Sequence, residues 1–203
     1  LATAESGVAV SSSYRIELDR WLSQLNVTAD TVLDIGGSQL PVKGRTLSWN
    51  VQQYLIADLP EPHIGSPKPD LELDLNEVYE DGVTCPASAF EHYDLIFCLE
   101  VFDYIWNTRD AFGIIAIRLR KNGTAWVTFP SQYPTHQPVE DDALRYMPGG
   151  IKKLAEASGL KIVQMIPRRT ETDAIYQAFR TERMRCAKHE DHNISGWIVE
   201  FTK

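Results

Sequence analysis

The sequence predicts an α/β fold built on a mainly parallel sheet. Three observations predict it. Short apolar runs bounded by glycine, proline or acidic residues recur at 32–35, 53–59, 71–75, 93–99, 124–129, 160–166 and 196–202. Stretches with apolar residues at helical spacing fall between several of them. Strands that alternate with helices pair in parallel through crossover connections. The 203 residues suffice for one good-sized domain, and 43% apolar content supplies its core without staples.

In chain order, residues 1–13 are small and polar and lack a charged segment leading into an apolar core. They read as a flexible N-terminal arm, not a signal peptide, and residues 14–203 as a single domain. Tyr14–Leu25 brings Ile16, Trp21, Leu22 and Leu25 near one helical face. Val32–Ile35 is the first strand. Pro41 and Gly44 argue against a long regular helix over Ser38–Trp49. Gln53–Leu59 is the second strand, Pro60–Pro69 a proline-rich loop, and Leu71–Leu75 a short third strand. Asn76–Glu91 reads as loop and partial helix. Tyr93–Leu99 is a buried fourth strand. Thr108–Leu119 is a helix that Lys121-Asn122-Gly123 ends. Thr124–Phe129 is the fifth strand, stopped by Pro130. Pro148–Ser158 is a helix closed by Gly159. Leu160–Ile166 and Gly196–Thr202 are the last strands, with a charged, helix-patterned stretch at Thr170–His189 between them.

Composition narrows the function. The net charge of -8, with no Lys/Arg run longer than two, argues against nucleic acid as partner. Cys85, Cys98 and Cys186 are odd in number and widely spaced, which fits neither a disulfide framework nor a zinc site. They suit a reducing, cytoplasmic setting. No apolar run is long enough to span a membrane. His189 and His192 in KHEDH invite a metal, but that spacing without a third ligand type is weak, and no metal is expected.

Acids close the first four strands: Asp34, Asp58, Asp74 and Glu100. Each alone reads equally well as a loop or cap residue. In an open parallel sheet, however, ligands bind outside the carboxyl ends of the strands. The first of these ends runs into Gly36-Gly37, where a missing Cβ permits close backbone approach. Several carboxylates suit ribose hydroxyls, an exocyclic amine and a cationic tail. They do not suit a pyrophosphate, and no G-x-G-x-x-G follows the first strand. The pattern favours an adenosine ligand without phosphates over NAD.

The ordered segments VLDIGG, YLIADL, LELDL, YDLIFCLEVFDYI, LRKNGTAWVTFP and GGIKKLAEASGLKIV resemble the class I S-adenosylmethionine-dependent methyltransferases, from Val32 to Ile166. GGSQLP and PSQYPTHQPVEDDALRYMPGG resemble the branch found in cell-surface sugar and small-metabolite pathways. Two departures stand out: the glycines run Gly36-Gly37-Ser38, and Asp103-Tyr104 replaces the histidine common after the fourth strand. The resemblance implies a Rossmann-like three-layer sandwich with a seven-stranded sheet, its last strand antiparallel. It implies S-adenosyl-L-methionine as cofactor. Asp34, Gly36 and Gly37 would meet its methionyl end, and Asp58 with Leu59 its ribose. Asp74 with Leu75 would meet its adenine, and Leu99 and Glu100 would line it further.

An acceptor hydroxyl needs a base, and His136 in the loop after the fifth strand is the candidate catalytic residue, against a plain loop histidine. Glu100 and Asp103 are the runners-up. Tyr104, Trp106, Asp142, Arg145 and Tyr146 are candidates to hold the acceptor, a small molecule or sugar. Arg168-Arg169 could pair with an anionic acceptor but reads better as a solvated strand end. The charged segment 170–195 is a candidate cover for a substrate or for a second copy in a homodimer. Two function classes stay open: a methyltransferase acting at oxygen, and a non-catalytic cofactor-binding regulatory or partner subunit.

Overall fold

The computed structural model describes residues 13–62, 65–77, 93–133, 135–136, 138–169 and 194–203. In these residues the chain forms α1 (Ser13–Leu22), β1 (Asn26–Ile35), β2 (Ser48–Asp58), β3 (Leu71–Glu72) and β4 (Tyr93–Cys98). Then follow α2 (Thr108–Arg118), β5 (Leu119–Pro130), α3 (Pro148–Ser158), β6 (Lys161–Arg169) and β7 (Ile194–Thr202). The stretch 170–193, with its expected helix, and Cys85, Cys186, His63, His189 and His192 lie outside the described residues.

The strands make one seven-stranded sheet in the order β3-β2-β1-β4-β5-β7-β6. β7 runs antiparallel to both β5 and β6, and the pairings from β3 through β5 are parallel. Strand order reverses between β1 and β4, which opens a crevice at their carboxyl ends. Alternation across the pleat splits the core in two. Leu33, Ile96 and Cys98 face the cluster that α2 and α3 cover with Phe112, Ile115 and Ile151. Val32, Leu95 and Phe97 face the cluster that α1 covers with Leu18 and Leu22. Trp21 of α1 packs on Trp126 of β5 at 4.7 Å between ring centroids. These are the three expected layers.

Several boundaries differ from the sequence expectation. β1 and β2 begin six and five residues early and pair from Asn26↔Ser48 onward. Their extra residues are mostly polar and half-exposed, so no apolar run marks them. β3 shrinks to two residues, paired Ala57↔Leu71 and Asp58↔Glu72. α2 ends one residue early at extended Leu119 and enters β5 without a loop. Lys121-Asn122-Gly123 therefore lies inside β5 instead of capping the helix. Asn122 takes a left-handed φ of 64° there, and the register jumps from Tyr93↔Leu119 to Leu95↔Thr124. Gly159 closes α3 as expected, left-handed at φ 74°. No helix follows β1: residues 38–47 are turns and bends.

Candidate functional site

A cavity of about 470 Å³ opens at the crevice between β1 and β4, within the range of small-molecule sites. Its wall includes Asp34, Gly36, Gly37, Asp58, Leu59, Asp74, Leu75, Leu99, Glu100, Tyr104 and His136. The topology thus brings to one cavity all the residues proposed for the cofactor, one of those proposed for the acceptor, and the proposed base.

Asp34 ends β1 fully buried. Its Oδ2 accepts the Val42 N–H at 2.8 Å and the Tyr54 hydroxyl at 2.5 Å. Burial raises its carboxyl to about 6 despite those donors. The two glycines have intramolecular reasons. Gly36 is left-handed at φ 78°, and a Cβ there would meet Val101 Cγ2 at 2.3 Å. A Cβ on Gly37 would meet Asp34 Cγ at 2.6 Å. The next residue, Ser38, donates its N–H to Asp58 Oδ2 at 3.0 Å, and Leu59 N–H donates to Asp58 Oδ1 at 2.9 Å. The glycine turn is therefore tied to the end of β2, and both Asp58 oxygens keep acceptor capacity. Asp74 Oδ1 accepts the Asn76 N–H at 2.8 Å. Asn76 ties this loop to the segment after β4. Its Nδ2 donates to the Tyr104 carbonyl and its Oδ1 accepts from Trp106 N–H.

Glu100 lines the cavity and is also held from within the protein. It is left-handed at φ 58° and is fixed by Thr128, whose Oγ1 both accepts the Glu100 N–H and donates to Oε1. Arg168 holds both carboxylate oxygens, at 2.5 and 3.2 Å. Arg168 is 1% exposed, so the reading of a solvated strand end is corrected for it, while Arg169 is exposed as expected: the antiparallel β7 buries Arg168 against Glu100.

At the other end of the cavity, the Tyr104 hydroxyl bonds His136 Nδ1. His136 N–H donates to Asp142 Oδ2 at 2.7 Å, and Arg145 clamps Asp142 with both terminal nitrogens. That guanidinium holds the Asp142 carboxyl below the usual carboxylate range. Arg145 Nε also donates to the Tyr133 carbonyl. Asp142 and Arg145 thus brace the loop and do not line the cavity. Tyr146 is corrected from acceptor residue to core: it is buried against Phe102 and Phe129 and donates to the Phe102 carbonyl at 3.1 Å. Trp106, 70% exposed, lies outside the cavity wall. Among the described residues no cluster of His, Cys, Asp or Glu forms a metal site, and no helix is long and apolar enough to cross a membrane.

The sequence did not point to Arg15 and Leu18 of α1, Arg45, Asn76 or Tyr133 as cavity wall. Asn76 alone had a signal, its position directly after the acid-bearing LELDL run.

No family model matches the chain, and no curated protein matches it. Solved structures do. The S-adenosylmethionine-dependent methyltransferase from Mesorhizobium loti matches at TM-score 0.55 and 14% identity, over 94% of this chain and 98% of that one. The mitomycin 7-O-methyltransferase MmcR matches at 0.58 and 12%, over 93% of this chain and 53% of that one. The [4+2]-cyclase SpnF matches at 0.57 and 13%, over 94% and 80%. This is the Rossmann-like methyltransferase fold. The methyltransferase fold also serves a cyclase, so chemistry has to be argued from the cavity.

The methyltransferase cofactor fits the residues present. Asp58 offers two under-used oxygens, suited to a diol. Leu59, Leu75 and Leu99 supply apolar wall for a ring, and Asp34 and Asp74 add further acceptors.

Proposed function

We propose that this chain is an S-adenosylmethionine-dependent methyltransferase that acts on a hydroxyl of a small-molecule or carbohydrate-like acceptor. One observation carries the reading: Asp58 lines the cavity with both oxygens anchored by backbone N–H groups and still able to accept. A carboxylate oriented in this way recognises two adjacent hydroxyls. When bound, the cofactor supplies a methyl group activated on a sulfonium.

The chain's residues have separable tasks in this reading. Asp58 holds the ribose and Asp74 the adenine edge. The turn at Gly36-Gly37 and Leu99 shape the wall for the methionyl part. His136 takes the acceptor proton. In the tautomer whose Nδ1 donates to the Tyr104 oxygen, the lone pair sits on Nε2, the atom that accepts a proton. Asp142 positions this loop through the His136 N–H.

A second reading, a cofactor-binding subunit without turnover, draws support from Glu100, a runner-up base whose carboxylate Arg168 occupies. Calorimetric titration with S-adenosylhomocysteine tests what the two readings share. Saturable binding is expected, and none at millimolar ligand sinks both. Incorporation of labelled methyl into metabolite pools separates them. His136→Ala is expected to cut that incorporation by about 10²–10⁴-fold with cofactor affinity nearly intact. Undiminished incorporation removes His136 from the mechanism.

A further inference from the structure

We propose that the acceptor carries an ammonium group, seated where Asp103, Tyr104, Tyr133, His136 and Asp141 line the cavity. This rests on the proposed function, since it names the acceptor class for the same cavity.

The cavity has two chemically different ends. Around the glycine turn the carboxylates have donors: Val42 and Tyr54 on Asp34, Ser38 and Leu59 on Asp58, and Asn76 on Asp74. Asp103 does not share this arrangement. It lines the same cavity, is 4% exposed, and its Oδ1 has no hydrogen-bond partner. A buried acceptor without a donor calls for an explanation, and a ligand donor is one. The nearby cations are engaged elsewhere. Arg168 forks onto Glu100, and Arg145 forks onto Asp142.

Aromatic rings line the same cavity as this acid. The His136 ring lies 5.8 Å from that of Tyr104 and 6.3 Å from that of Tyr133. Aromatic faces attract cations. Asp141 adds a second carboxylate to the wall. A buried carboxylate and aromatic rings on one cavity wall favour an ammonium, whereas a neutral polyol leaves the charge uncompensated and an anion is repelled. An amino sugar or amino alcohol combines this group with the hydroxyl of the proposed reaction.

Burial raises the Asp103 carboxyl to about 7. Glu100 and Asp142 add to the rise, and Arg145 and Arg168 oppose it. A bound cation favours the ionised form. Ammonium binding therefore strengthens as pH rises through about 7, as Asp103 loses its proton.

The test is titration of the full chain, with and without saturating S-adenosylhomocysteine, using glucosamine and its neutral counterpart glucose, followed by protein amide NMR shifts. In the wild type glucosamine is expected to bind at least about tenfold more tightly than glucose, the scale of a hydrogen bond to a charged group. Asp103→Asn should abolish that preference and leave S-adenosylhomocysteine affinity unchanged, and Tyr133→Leu should narrow it. Equal binding of the two sugars, no saturable glucosamine shift, or a preference that survives in Asp103→Asn overturns the proposal. So does a loss of S-adenosylhomocysteine affinity in Asp103→Asn, which assigns the acid to the cofactor's own amine. Failure of the wild type to bind S-adenosylhomocysteine overturns the underlying function instead, and the sugar titrations without it remain readable.

Discussion

Asp34 and Asp103 are acids held in places that disfavour their charge, and this gives the protein a pH signature. Burial raises Asp34 from 3.8 to about 6 and Asp103 from 3.8 to about 7. Between the unfolded and folded values the folded state binds more protons, so stability falls as pH rises across that window. The Asp34 contribution to that fall is about 3 kcal/mol and is complete above pH 6. Asp142 works in the opposite sense: its lowered carboxyl favours folding above 3.8, and that contribution is lost as pH falls through the folded value. Urea denaturation of the unliganded protein should show the decline between pH 4 and 7. Asp34→Asn should flatten its lower part and Asp103→Asn should reduce it across the whole window, its upper part included; a flat wild-type profile would refute both assignments. At Asp58 the expectation concerns binding. Asp58→Ala removes the acceptor for Ser38 and Leu59 as well as for a diol, and should weaken S-adenosylhomocysteine by ~1–3 kcal/mol. An unchanged calorimetric affinity would place the ribose elsewhere. The acids were legible in the sequence because they end apolar runs. Their partners were not: Val42 lies eight residues from Asp34, Tyr54 twenty, and Arg168 sixty-eight from Glu100.

At the scale of elements, the glycine turn after β1 is the tightest joint. Gly36 donates its N–H to the Ala57 carbonyl at 2.7 Å, while Val101 fills the space a Cβ would need. Gly36→Ala should therefore destabilise the fold by more than the ~1 kcal/mol of a left-handed alanine alone. Adding Val101→Ala should recover the steric part and not the backbone part, as read by the denaturation midpoint. If the double variant is no better than the single one, the Val101 contact is not the cause. Gly159→Ala, with open space around the glycine, should show the backbone cost by itself. The helices α2 and α3 were legible within a residue, because apolar spacing marks both and a terminal glycine closes α3. The early halves of β1 and β2 were not, because residues such as Thr28, Asp30, Asn50 and Gln52 alternate at a half-solvated sheet face and leave no apolar run. Lys121-Asn122-Gly123 misled because the same left-handed turn chemistry serves a strand irregularity as well as a helix end.

For the whole molecule, the sheet order predicts how stability is distributed. β1, β4 and β5 sit mid-sheet with both faces covered, whereas β3 is a two-residue edge. Hydrogen exchange should be slowest at Leu33, Ile96 and Val127, through global unfolding only, and fast at Leu71 and Glu72. Comparable protection at both places would contradict the topology. The mainly parallel sheet followed from the order of segments, and the antiparallel last strand from the family resemblance that those segments carry. The depth of β7 against β6, which buries Arg168, did not, because no local pattern encodes which remote strand covers an end. One feature bears on ligand choice by itself. Residues 38–47, which follow Gly36-Gly37, form bends and turns. This stretch consequently brings to the cavity neither the positive end of a helix dipole nor the fan of unpaired N–H groups that a helix start offers to phosphate. With Asp34, Asp58 and Asp74 on the same wall, ADP-ribose should fail to displace S-adenosylhomocysteine, and adenosine, which shares the same ring and diol without the charge, should compete.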